Sequence, residues 1–225
     1  ELLGVYFVND MSGFAVGENG RIIRTRTGGA YWEPLESGTE NWLEDVKFVT
    51  ARKGIAVGDS GTILLTMDGG DTWSPVRSNV SENIYALSFF DEKYGAAVGA
   101  DGLILRTVDG GLSWTDLESP SRANLIAVAA IGRDQIVAVG ELGTMLVSGD
   151  AGKTWNIQPV NTGKTLQAVV FRGGDKIWVA GRGGAILKRS QQLNPYRFAV
   201  GRSGSPPTLR PASGIRKPRV PAVAV

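Results

Sequence analysis

The chain has 225 residues, 42% of them hydrophobic, and a formal net charge of +2, so it can bury a sizeable core in one or two domains. It contains neither cysteine nor histidine, which excludes disulfides, cysteine nucleophiles, zinc sites built on those residues and any Ser-His-Asp triad. No apolar run approaches the roughly 18–20 residues needed to cross a membrane as a helix.

A fixed step of 41 residues organises the sequence: Trp32, Trp73, Trp114 and Trp155 follow it, as do Gly17, Gly58, Gly99, Gly140 and Gly181, and Gly20, Gly61, Gly102, Gly143 and Gly184. A period of about 40–45 residues is the size of one four-stranded propeller blade. The expected fold is therefore all-β, a propeller with five visible repeats at 1–42, 43–83, 84–124, 125–165 and a partial one at 166–190.

The first copy opens with Val5 and Phe7 on one face of a strand, the period-2 signal that recurs as Val46/Phe48, Leu87/Phe89, Val128/Ala130 and Val169/Phe171. An uninterrupted apolar stretch follows, clearest as Gly54–Gly58 in the second copy, and predicts a strand covered on both faces. Next comes a short turn carrying Glu18, Asp59, Ala100, Glu141 or Arg182, then a third strand marked by Ile22, Ile63, Ile104, Met145 and Ile186. That strand runs into Thr66-Met67-Asp68-Gly69-Gly70-Asp71-Thr72-Trp73, repeated at Thr107–Trp114 and Ser148–Trp155. The first copy has Thr27 in place of Asp, and the fifth lacks the motif. A short carboxylate there accepts turn amides, the glycine supplies positive φ, and the Trp buries its ring. Asp68, Trp73, Asp109, Trp114, Asp150 and Trp155 are accordingly expected to be structural, with no catalytic residue and no metal ligand among them.

Beyond the repeats, residues 191–225 hold six basic residues, no acidic ones and six of the ten prolines. This Pro/Arg-rich tail is expected to be disordered or irregular, without the aromatic interleaving that nucleic-acid binding would call for. The chain opens at Glu1 inside the repeat phase, with no initiator Met or signal peptide, and is expected to be a processed product or an excised piece.

The eight-residue motif resembles the Asp-box, S/T-x-D-x-G-x-T/S-W, also called the BNR repeat. The combined pattern G-x-A-V-G-x-x-G-x-I-L-x-T-x-D-G-G-x-T-W, over residues 1–190, resembles the Ycf48/HCF136 family of photosystem II assembly and stability factors. The resemblance implies a non-catalytic, extracytoplasmic propeller, in the thylakoid lumen or periplasm, monomeric and at most peripheral to a membrane. It implies a protein partner, a membrane-complex subunit or precursor such as D1, and neither cofactor nor nucleic acid. It also implies seven blades where five are visible, so the chain is either part of a longer ring or closes with five.

An arginine-rich docking patch is a further implication of the resemblance, and Arg21, Arg24, Arg106, Arg182 and Lys188 are the residues that match it; Arg24, Arg106 and Lys188 share one repeat position, filled elsewhere by Leu65 and Val147. Guanidinium groups suit such docking because they make forked hydrogen bonds. Two other readings stay open. One is an Asp-box glycoside hydrolase of the sialidase type, which needs a Tyr/Glu nucleophile pair that the sequence does not reveal. The other is an extracytoplasmic protein-binding propeller from a non-photosynthetic bacterium.

Overall fold

The computed structural model describes residues 1–131, 134–171, 176–189 and 198–200. They form five antiparallel sheets of four strands each, every sheet ordered as its strands occur in the chain. Blade 1 contains β1 (Leu2–Phe7), β2 (Gly13–Gly17), β3 (Ile22–Thr25) and β4 (Glu33–Leu35). Blade 2 contains β5 (Leu43–Phe48), β6 (Gly54–Gly58), β7 (Ile63–Thr66) and β8 (Ser74–Pro75). Blade 3 contains β9 (Ile84–Phe89), β10 (Gly95–Gly99), β11 (Ile104–Thr107) and β12 (Thr115–Asp116). Blade 4 contains β13 (Leu125–Ile131), β14 (Gln135–Gly140), β15 (Met145–Ser148) and β16 (Asn156–Ile157). Blade 5 contains β17 (Leu166–Phe171), β18 (Ile177–Gly181), β19 (Ala185–Arg189) and β20 (Phe198–Val200). Thus Phe198–Val200, from the Pro/Arg-rich segment, supplies the outer strand of the last blade. Residues 190–197 and 201–225 lie outside the described residues.

Neighbouring blades pack face to face in chain order, and their first strands touch one another: β1 with β5, β5 with β9, β9 with β13, and β13 with β17. The first strands therefore lie where the blades converge, and the short fourth strands form the rim. This is the β-propeller arrangement that the 41-residue period requires. The core is a series of seams between blades. Phe14, Val16 and Ile22 of blade 1 meet Val46, Phe48, Ala56, Leu64 and Trp73 of blade 2. The same positions, one repeat on, form the next three seams.

The apolar second strands are buried at every residue in blades 1 to 3, and those of blades 2 and 3 lie between two sheets. Blade 5 departs from this. Its β18 alternates buried Ile177 and Val179 with exposed Trp178 and Ala180, since among the described residues only blade 4 covers it. An apolar strand sequence does not reveal that one of its faces is bare.

Candidate functional site

Each blade has two ends with different chemistry. At one end, the third strand enters the Asp-box turn. Thr72 donates to Asp68 from its amide (3.0 Å) and its hydroxyl (2.6 Å), and the Thr66 hydroxyl donates at 2.7 Å. Ser113 does the same for Asp109, and Thr154 for Asp150. The turn is then tied to the first hairpin of its own blade, by Gly69 N–H to Arg52 O (2.7 Å) and Gly110 N–H to Lys93 O (2.7 Å). The ring of Trp73 lies edge-on to Phe48, and that of Trp114 to Phe89. In blade 1 the Thr27 hydroxyl takes over part of the carboxylate's work and accepts the Tyr31 amide at 2.9 Å.

The donors hold these carboxylates in their charged form. Asp68 is pushed far below the usual range, chiefly by the Thr72 hydroxyl and amide and then by Thr66. At Asp109 and Asp150 burial works the other way, but the Ser113 and Thr154 donors outweigh it, lowering Asp109 and bringing Asp150 to about 2. Folded values below the unfolded ~3.9 mean that the unfolded chain binds these protons more readily. The stabilisation is complete above roughly pH 4–5 and is lost as pH falls through the folded values. Urea midpoints should therefore drop steeply between pH 4 and pH 2, and Asp150→Asn should weaken that acid dependence while lowering stability at pH 7.

The opposite end carries the turns between the second and third strands. Here each blade has a bulge in its first strand, so that Leu3, Glu44, Tyr85, Ile126 and Gln167 stand outside the strand register. A bulge re-aims a side chain. The glycine series at Gly17 exists for this feature: a Cβ at Gly58 would overlap the Trp42 carbonyl, and one at Gly99 the Asn83 carbonyl. That same carbonyl accepts the next turn amide, Asp59 N–H to Trp42 O (2.9 Å) and Ala100 N–H to Asn83 O (2.9 Å).

The bulge and turn residues of blades 2 to 4 interact electrostatically. Burial and the charge of Asp59 raise Glu44, and burial raises Asp59. Tyr85 is raised by burial and then by the charges of Glu44 and Asp59, with a smaller contribution from Glu141. The convergence of blades 2 to 4 is thus acidic at this end, with Glu18 on the blade 1 turn and Arg182 on the blade 5 turn. Among the described residues no group of three or more acidic side chains is arranged to hold a metal ion.

The five basic residues do not share one surface. Arg21 and Arg182 are exposed at the turn end, in blades 1 and 5. Arg24 is 7% exposed in the seam between blades 1 and 2. Its Nε donates to Glu33 at 2.8 Å and its Nη1 to Asp71 of the next blade at 2.5 Å. Burial disfavours its charge, but the bonds to Asp71 and Glu33 prevail and hold it above its ordinary value. Arg106 repeats the theme one seam further, donating from Nε to Ala151 O at 2.7 Å and lying over Tyr94. Lys188, at the same repeat position, lies over the Trp178 ring (5.0 Å) on the outer face of blade 5. The position is a clasp onto the next blade's Asp-box turn, and Leu65 and Val147 at equivalent places were the sequence signal that it faces a seam.

A family model described as the photosystem II assembly factor YCF48 matches residues 27–120, which include the motif copies of blades 2 and 3 and most of that of blade 1. A solved structure of YCF48 bound to a D1 peptide is 22% identical, with a TM-score of 0.70 over 88% of this chain and 65% of that one. The chain thus spans less than two thirds of that protein's length. YCF48 from Cyanidioschyzon merolae is 20% identical, with a TM-score of 0.69 over 88% of this chain and 71% of that one. The GH74 enzyme of Niastella koreensis is 13% identical, with a TM-score of 0.68 over 88% of this chain and 36% of that one. A comparison with curated proteins gave no match. The chain is a β-propeller with Asp-box turns, and its residues 27–120 are similar to the YCF48 family.

Proposed function

We propose that this chain is a non-catalytic propeller scaffold that binds a membrane-complex subunit or its precursor, a D1-like segment, at the turn end. The family match over residues 27–120 carries the reading. A solved YCF48 structure with a similar fold holds a D1 peptide, which makes a D1-like segment the first partner to test. The same reading includes a working location in the thylakoid lumen or periplasm. Arg21 and Arg182 are the two members of the basic set that are free of seam contacts and exposed at one end. They are the proposed docking cations, offering forked hydrogen bonds to carboxylates or backbone. Two observations support a non-catalytic role. The Asp-box carboxylates are saturated with donors and have no proton to give or take near neutral pH. Tyr85 is pushed upward by burial and by its acidic neighbours, whereas a nucleophile needs its pKa lowered or a base to activate it.

The test is fluorescence anisotropy with a labelled D1 peptide. Wild-type protein should bind, and the double variant Arg21→Glu/Arg182→Glu should lose at least about tenfold in affinity, two rim charges being reversed. Unchanged affinity in the double variant would remove these arginines from the site. No binding by wild type would remove the D1-like partner.

One observation favours a second reading, a glycoside hydrolase. Glu44 and Asp59 are neighbouring carboxyls, both raised by burial, and acid/base pairs in glycosidases use such tuning. Turnover of fluorogenic glycosides that disappears in Glu44→Gln would replace the binding reading with this one.

A further inference from the structure

The turn from second to third strand passes, in every blade, through one residue with φ between 52° and 66°: Asn19, Ser60, Asp101, Leu142 and Gly183. Glycine enters this left-handed region freely, and short polar side chains reach it by bonding locally. Leucine does neither, and its Cβ crowds the following carbonyl there. Packing gives nothing back, because Leu142 is 78% exposed. A second departure stands just before the first strands, at Trp42, Asn83, Asn124 and Thr165. Asn83 Oδ1 accepts the Ser60 amide and Asn124 Oδ1 the Asp101 amide, each at 3.0 Å, so each caps the turn of the preceding blade. Trp42 is the equivalent residue for the Asn19 turn, and an indole donates but cannot accept. Trp42 is instead 40% exposed.

Each residue thus gives up a structural role that its repeat equivalents perform, and each puts an apolar side chain at the turn end. Strain held at an exposed position of this kind marks a contact site. Blades 2 and 4, which carry them, each pack against a blade on both sides. We propose that Trp42 and Leu142 are the apolar contacts of the partner site, receiving bulky apolar side chains of the same D1-like segment whose carboxylates or backbone groups Arg21 and Arg182 hold. The assignment rests on the binding reading above. Tryptophan is among the side chains that dominate binding energy at such contacts. The Leu142 turn is closed by Thr144 N–H to Glu141 O (2.8 Å) and Gly140 N–H to Thr144 O (2.9 Å). Its side chain is therefore presented on a rigid backbone, which limits the ordering that binding requires. The segment that fits combines polar or acidic groups for the arginines with apolar side chains for Trp42 and Leu142.

Fluorescence anisotropy tests this on wild type, Trp42→Asn and Leu142→Asn, using the labelled D1 peptide and a version whose bulky apolar residues are replaced by serine. Both substitutions restore the repeat pattern. Each variant should bind the D1 peptide at least about tenfold more weakly than wild type does. The serine peptide should bind wild type more weakly too, and the variants no worse than wild type, since the groups that Trp42 and Leu142 meet are gone. The urea midpoint of Leu142→Asn should be unchanged or higher, because asparagine accepts the turn. A lowered midpoint would assign Leu142 to packing within the chain and overturn its place in the site. Variants weakened by the same factor against both peptides would overturn the proposal, because the loss would then not pass through apolar side chains. Undiminished affinity for the D1 peptide in both variants overturns this assignment alone and leaves the D1-like partner standing. A wild type that does not bind the D1 peptide overturns the partner and this assignment together.

Discussion

Phe48→Ala will cost about 4 kcal/mol of unfolding free energy, whereas Phe7→Ala, the same position one repeat earlier, will cost about 1 kcal/mol. Phe48 is 7% exposed and lies in the seam between blades 1 and 2. Its ring stacks on Phe14 at 4.5 Å between centroids and meets Trp73 edge-on at 6.0 Å. Truncation removes both contacts and leaves a cavity between two sheets that cannot close over it, the situation in which Phe→Ala losses reach the upper range. Phe7 also meets its Trp edge-on, Trp32 at 6.0 Å, but it is 43% exposed, and among the described residues no blade covers that face. Denaturant titration of the two variants at low protein concentration measures the difference. Equal losses would mean that blade 1 is covered in solution by something the chain itself supplies.

Gly99→Ala should destabilise by about 3 kcal/mol, at the upper end of what overpacking costs. The obstacle is backbone. A Cβ there would overlap the Asn83 carbonyl and sit against Ile84, and relief requires parting two strands at the bulge. The bond from Ala100 N–H to Asn83 O (2.9 Å) would be strained at the same time. Gly149 is the control. A Cβ meets nothing within 4 Å there. Gly149→Ala should be neutral or stabilising by roughly 0.5 kcal/mol through the unfolded chain. A mild Gly99→Ala phenotype would show that the bulge is not the reason for this glycine series.

The fold was legible because the same turn and seam constraints act five times at fixed spacing. The Trp series and the two glycine series each mark a place where one backbone or ring must meet another, and repetition separates such places from chance. What those constraints serve was less legible. The glycines at 58 and 99 sit beside turns, so turn geometry accounts for them without the bulge, and simple alternation in LEDVKFV puts Glu44 on the same face as Val46 and Phe48. The bulge breaks the two-residue alternation at Glu44 and Tyr85, and only coordinates reveal that it turns them toward Asp59 and Glu141. Arg24 and Arg106 fit a surface patch by residue type. Repeat equivalence places them on corresponding faces but does not say whether another blade covers that face. Leu65 and Val147 at the same position argue for a covered face, since an exposed cationic patch would have little use for them.

Hydrogen–deuterium exchange of the protein with and without a saturating D1 peptide tests the functional account most directly. The account predicts slowed exchange in the turns at 17–22, 99–103 and 181–185, with the Asp-box turns at 66–73 and 107–114 unchanged. Protection confined to the Asp-box turns, or no protection anywhere, would contradict it.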